Sequence, residues 1–217
     1  MNESRIEKKF VLGKYKEDFL TRFLLINGFT KHFANRIINS IYLDTINYDF
    51  AKDNINGVSE RKKIRLRWYD DNLNKIFIEQ KNKKNFKVWK NIEEIKPTNI
   101  KKNLIKNLED YFKNNNFSKL VNFNYNFVLK TNYKRSYWIS DDKNIRATID
   151  TDINASSCKD MKSIINLSET ILEFKFSPKY EKYFRSFFNN KSYQLRSQKY
   201  SKYIRSFTAL ENSGMIY

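Results

Sequence analysis

One cysteine, Cys158, and one histidine, His32, are all that a chain of 217 residues offers of the two residue types that most often cross-link or ligate. A single cysteine cannot close an internal disulfide, which excludes a disulfide-stapled secreted scaffold. Cys158 has no thiol or imidazole neighbour in sequence, so nucleophilic chemistry is not expected of it. His32 reads as a surface or packing residue near a helix end rather than a ligand. There is no run of about 18 apolar residues, so no helix is expected to span a membrane. The start lacks the apolar stretch of a signal peptide, and cytoplasmic localisation is the expectation. Neither a composition break nor a solenoid-like period interrupts the chain, so a single domain over residues 1–217 is expected.

What is abundant is positive charge. Lys and Arg number 42 against 24 Asp and Glu, a formal net charge of +18. Such a balance selects polyanionic partners: nucleic acid, phosphorylated metabolites or an acidic membrane surface. Hydrophobic residues make up 40% of the chain, with 18 Phe and 14 Tyr. That is too much packing material for a disordered basic tail.

Taken in order, residues 4–12 alternate, with Arg5, Glu7 and Lys9 on one face and Ile6, Lys8 and Phe10 on the other. Phe19, Leu20, Phe23 and Leu24 then shift to a helical period over 16–29, with Glu17 and Asp18 at the start and Gly28 near the stop. Strands are expected over 36–45, 61–69, 75–81, 86–95, 126–139, 144–153 and 170–176, from β-branched and aromatic alternation. Residues 61–69 and 75–81 read as a hairpin about Asp70-Asp71-Asn72. Helices are expected through Leu104–Phe112, capped by Thr98 or Asn99, after Pro178, and over 197–210.

Several of these strands oppose an apolar face to one carrying Arg, Lys and Glu at alternate positions. In 64–69, Ile64, Leu66 and Trp68 share one face while Arg65, Arg67 and Tyr69 share the other. For any one strand, an antiparallel sheet with one wet face explains this. Jointly, the strands fit a closed barrel with a polar lumen and its apolar faces turned outward beneath helices. Like charges in a confined space need an anion or carboxylates to compensate them. A lumen carrying Lys9, Arg65, Arg67, Lys81, Lys90, Arg135 and Arg146 suits a multiply charged phosphate chain. Glu7, Glu79 and Glu173 would hold a divalent metal or balance the cations. Asp44 and Asp150 are open between metal-side carboxylates and strand-end hydrogen bonding.

The ordered motifs Arg5-x-Glu7-x-Lys9, Ser40-Ile-Tyr-Leu-Asp44, Ile64-Arg-Leu-Arg-Trp-Tyr69, Ile78-Glu-Gln-Lys81, Tyr133-x-Arg135, Arg146-x-Thr148-x-Asp150, Leu172-Glu-Phe-Lys175 and Ser201-Lys-Tyr203 resemble the VTC domain. That family is the polyphosphate polymerase branch of the triphosphate tunnel metalloenzymes, the CYTH-like superfamily. The resemblance implies an α+β fold with a closed antiparallel eight-stranded tunnel and flanking helices. It implies transfer of the ATP γ-phosphate onto inorganic polyphosphate with Mn²⁺ or Mg²⁺. Carried over by position, Lys9, Lys81, Lys90, Arg135, Arg146, Lys175 and Ser201 would bind substrate, and Lys202, Arg65 and Arg67 would act at the reacting phosphate. Glu173, with Glu7 and Glu79, would be the metal side. Lys87 competes with Lys90, three residues away, for the same role. Arg5 stands where the hydrolytic branch carries a glutamate, which favours the polymerase. The alternatives are a metal-dependent triphosphatase of the same fold, with inorganic triphosphate or nucleoside triphosphate as substrate, and a non-catalytic binder of polyphosphate or RNA. The polymerase reading requires no nucleic acid.

Overall fold

A computed structural model describes residues 5–14, 16–85, 87–97, 104–114, 121, 125–188 and 195–216. The strands are β1 (Ile6–Gly13), β2 (Phe29–Asp44), β3 (Glu60–Tyr69), β4 (Ile76–Lys84), β5 (Lys87–Ile95), β6 (Asn126–Ser140), β7 (Ile145–Ser157), β8 (Ile165–Asn166) and β9 (Glu169–Phe176). The helices are α1 (Glu17–Ile26), α2 (Asp49–Ile55), α3 (Leu104–Asn114), α4 (Glu181–Ser186) and α5 (Lys202–Asn212). One sheet takes the order β1-β9-β7-β6-β2-β3-β4-β5, with β8 against β7. β1 pairs with β9, β9 with β7, β2 with β3, β3 with β4 and β4 with β5, all antiparallel.

An antiparallel sheet of this size with flanking helices is the architecture expected. Eight strands form the path of the sheet among the described residues, and two residues of the polar 156–168 segment pair with β7 as the short β8. The order runs from β1 to β5, and no β1–β5 ladder is seen among the described residues. β5 carries Lys87, Lys90, Glu93 and Glu94 and is exposed along most of its length. Charged edges of this kind resist further pairing.

The chain divides into two compact units, one drawn from residues 1–37, 133–153 and 168–200, the other from 38–132, 154–167 and 201–217. In the first, α1 buries Leu20, Phe23 and Leu24 against Phe10, Phe29, Ile149, Leu172 and Phe174. Aromatic edges knit this core, as in Phe10 on Phe174 at 5.9 Å between ring centroids. Gly28, at φ +73°, turns the chain from α1 into β2, and a Cβ there would meet an Asp141 carboxylate oxygen at 2.9 Å.

In the second unit one face of the β2–β5 ladder is apolar, as the alternation required. Ile41, Ile64, Leu66, Trp68, Ile76 and Ile78 pack beneath Leu108 and Phe112 of α3. Burying each such side chain contributes about 1.5–3 kcal/mol. A neighbouring cluster of Tyr42, Leu129, Tyr203, Phe207 and Leu210 holds α5. Asp44 is wholly buried yet satisfied: it accepts from the backbone N–H groups of Thr45, Phe50 and Ala51 and from the Tyr203 hydroxyl. Burial pushes its carboxyl above the usual range despite these donors. Asp44 therefore ties β2, α2 and α5 together.

Two elements differ from expectation. β2 begins at Phe29 rather than near 36, because residues 30–37 are exposed along their whole length and show no apolar alternation to read. His32 lies in this stretch, its ring against Phe33. α5 begins at Lys202 rather than 197, since Ser197 bridges Phe10 and the Gln198 N–H donates to the Lys9 carbonyl. The Thr98 and Asn99 caps lie outside the described residues.

Candidate functional site

Strand alternation and register together build a charged face on β3, β4 and β5 of the second unit. Lys63 is opposite Lys81, and Lys81 is opposite Lys90, so three lysines form one row across three strands. The next row is Arg65, Glu79 and Ile92, and the next Arg67, Phe77 and Glu94. Directly opposed like charges destabilise a sheet.

Glu79 is the hub of this face. Arg65 Nε donates to it at 2.7 Å, Lys90 Nζ lies at 2.7 Å and Arg67 Nη1 at 3.5 Å. Burial pushes the Glu79 carboxyl up, but Arg65, Arg67 and Lys90 outweigh it and hold the group at about 2. With its oxygens engaged by three cations, Glu79 organises the cations of this face. Three positive groups on one carboxylate leave a local excess of positive charge. Register also separates Lys90 from Lys87: alternation puts Lys87 on the opposite face, so the ion pair belongs to Lys90.

Two residues of this face were not singled out by the sequence. The Tyr42 hydroxyl accepts from Arg65 Nη1 at 3.4 Å. Lys63 Nζ donates to Ser201 Oγ at 2.9 Å, and Ser201 Oγ in turn accepts from the Ile204 N–H as the N-cap of α5. The period of two running back from Arg67 and Arg65 pointed to Lys63. Lys202 occupies the first turn of α5, half-buried.

The first unit presents a charged face of different character on β1, β9 and β7. One row is Lys9, Glu173 and Thr148, and the next is Glu7, Lys175 and Arg146. Lys175 Nζ lies 2.9 Å from Glu173 and 3.8 Å from Glu7. Burial pushes the Glu173 carboxyl up, while Lys175, Lys9 and Arg135 outweigh it and hold it at about 2. Lys9 Nζ donates to the Tyr200 carbonyl. Arg135 is gripped by Asp150 through two hydrogen bonds, Nε to Oδ1 at 2.6 Å and Nη2 to Oδ2 at 2.7 Å. Burial lowers the Arg135 pKa and Asp150 more than restores it, so the net direction is upward. Asp150 is thus the partner of Arg135. Arg146 is exposed.

A divalent metal fits this face in one form only. Among the described residues no three Asp, Glu, His or Cys side chains converge as a metal cage. Glu173 and Glu7, diagonal neighbours sharing Lys175, offer two hard oxygen donors. Mg²⁺ and Mn²⁺ are often held by one or two carboxylates, with water and substrate phosphate completing the shell. The two faces therefore differ in kind: mixed signs with paired carboxylates on one, an excess of cations on the other.

No helix among the described residues is long and apolar enough to cross a membrane. A search of curated proteins found no match. Among solved structures, the chain is similar in fold to HpAC1 of Hippeastrum, for which a dominant triphosphatase activity is described. The TM-score is 0.62 at 15% identity, covering 99% of this chain and 98% of that one. It is also similar to a Bacillus halodurans protein (TM-score 0.54, 11% identity, 92% and 95% covered) and to PH1819 of Pyrococcus horikoshii (TM-score 0.51, 16% identity, 95% and 99% covered). The family model that matches the sequence is the VTC domain, over residues 4–211. With that match over nearly its whole length, the chain belongs to the VTC domain family.

Proposed function

We propose that this protein is a polyphosphate polymerase that transfers the γ-phosphate of ATP onto inorganic polyphosphate, and that residues 1–217 act as one catalytic domain. The observation that carries the reading is the row Lys63–Lys81–Lys90 beside the Glu79 cluster, an arrangement that favours a polyanion lying along it. In the reaction a terminal oxygen of the polyphosphate attacks the γ-phosphorus, the bond from that phosphorus to the β-bridging oxygen breaks, and ADP leaves. The attacking oxygen is already ionised at neutral pH, so positioning and charge neutralisation can carry most of the rate without a strong base.

Within this reading Arg65 and Arg67 neutralise the equatorial oxygens, and Lys81 and Lys90 hold the chain. Lys202 and Ser201 act from the start of α5, with Lys63 holding the Ser201 hydroxyl. Lys9, Arg135, Arg146 and Lys175 supply the remaining positive charge. Glu173 and Glu7 would hold Mn²⁺ or Mg²⁺, which when bound supplies charge neutralisation to phosphate oxygens. Arg65, locked on Glu79, acts as much by orienting that carboxylate as by direct contact.

A second reading keeps the same residues and lets water accept the phosphoryl group, as the triphosphatase activity described for HpAC1 suggests. A bare RNA or polyphosphate binder is less well supported, since a backbone-binding groove has no use for Glu173 and Glu7. Incubating the purified protein with ATP and Mn²⁺ and resolving products on a gel separates the readings. A ladder of long chains with ADP is expected, whereas orthophosphate without chains would replace the polymerase by the hydrolase.

A further inference from the structure

Two buried polar atoms beside the Glu79 cluster make no hydrogen bond. Arg67 Nε and Ser40 Oγ are both enclosed and both unsatisfied; Ser40 is 0% exposed and Arg67 8%. They are neighbours, because Ser40 and Arg67 are directly opposed across the β2–β3 ladder. Ser40 also stands two residues before Tyr42, whose hydroxyl meets Arg65 on the charged face, so alternation puts Ser40 and Arg67 on that same face. The Nε–H of an arginine only donates, and a serine hydroxyl can accept. A donor and an acceptor thus sit across from one another, desolvated and unjoined, which is unusual enough in a folded core to require an explanation.

The two arginines are unequally committed. Arg65 binds Glu79 closely through Nε and Nη2, whereas Arg67 reaches it only at 3.5 Å through Nη1. Of the three cations around Glu79, Arg67 is therefore the one whose guanidinium can be lent to an incoming anion at least loss.

We infer that Ser40 is a positioning residue for Arg67. When a phosphate group takes the Arg67 guanidinium from Glu79, the side chain turns so that Nε–H donates to Ser40 Oγ, fixing the guanidinium plane against the phosphate. The ligand-free state holds two unsatisfied atoms and the liganded state joins them in one hydrogen bond, so the pair favours binding while contributing nothing to the resting fold. This rests on the phosphate-binding reading of the β3–β5 face.

The test is a double-mutant cycle read by calorimetric titration of sodium tripolyphosphate, with melting temperatures taken without ligand. Ser40→Ala removes the acceptor, and Arg67→Lys keeps the charge but lacks Nε–H. Ser40→Ala is expected to weaken tripolyphosphate binding about tenfold, the scale of a hydrogen bond to a charged group, and to leave the ligand-free melting temperature unchanged or higher. In the Arg67→Lys background the same substitution is expected to have no further effect. Unaltered affinity in Ser40→Ala, an equal loss in both backgrounds, or a fall in ligand-free melting temperature would each overturn the inference while leaving the phosphate reading intact. A wild-type protein that takes up no tripolyphosphate would instead overturn the phosphate reading, and this inference with it.

Discussion

Replacing Glu173 by Gln is expected to lower turnover at least about a hundredfold, a loss of about 2.7 kcal/mol or more of transition-state stabilisation. The side chain keeps its shape and loses its charge. In the native protein Lys175, Lys9 and Arg135 hold this buried carboxyl at about 2, so it is fully ionised at neutral pH and available as a hard oxygen donor. An amide is a far weaker metal ligand and leaves the surrounding cations facing a neutral group. The companion measurement is Mn²⁺ binding by electron paramagnetic resonance in the presence of tripolyphosphate. Loss of both activity and Mn²⁺ binding is expected; lost activity with intact Mn²⁺ binding would remove Glu173 from the metal side.

The second large effect is on stability. Arg135→Ala leaves Asp150, which is 0% exposed, without its two guanidinium hydrogen bonds. Breaking one partner of a buried pair costs about 3–5 kcal/mol, because an uncompensated charge remains. For a chain of this size that corresponds to a fall in melting temperature of about 10 °C. The double variant Arg135→Ala/Asp150→Ala should recover much of the loss, since the stranded carboxylate is gone. If the double variant is no more stable than the single, the cost lies in packing around Arg135 rather than in the charge on Asp150. Because Arg135 is so firmly engaged, any activity lost in its variants has to be read against this change in the fold.

Much of the architecture was legible because strand alternation is a strong code. The opposition of Ile64, Leu66 and Trp68 to Arg65 and Arg67 fixed both the buried face of β3 and its charged one. Period alone could not reveal partners across strands. Glu79 was open between metal binding and charge balance because a glutamate among cations has two uses, and only register shows Arg65 beside it and Lys90 reaching it. Asp44 and Asp150 were likewise ambiguous until their donors were in place. The early part of β2 was invisible for the opposite reason: a strand exposed on both faces carries no hydrophobic signal. The start of α5 was misplaced because Ser197 and Gln198 satisfy their backbone by reaching β1, a long-range pairing that local helical spacing cannot anticipate.

A row of lysines that can hold a polyanion is the central feature of the β3–β5 face. Lys81, at the centre of the row between Lys63 and Lys90, is the place to test it. The measurement is the melting temperature of wild type and Lys81→Gln, each with and without tripolyphosphate. Relief of repulsion between opposed like charges is worth about 0.2–1 kcal/mol, and a ligand that binds only the folded state raises its stability. Lys81→Gln is therefore predicted to melt at the same temperature as wild type or slightly higher without ligand, and to lose most of the protection that tripolyphosphate gives. A variant that melts lower on its own and is protected as fully as wild type would contradict the account.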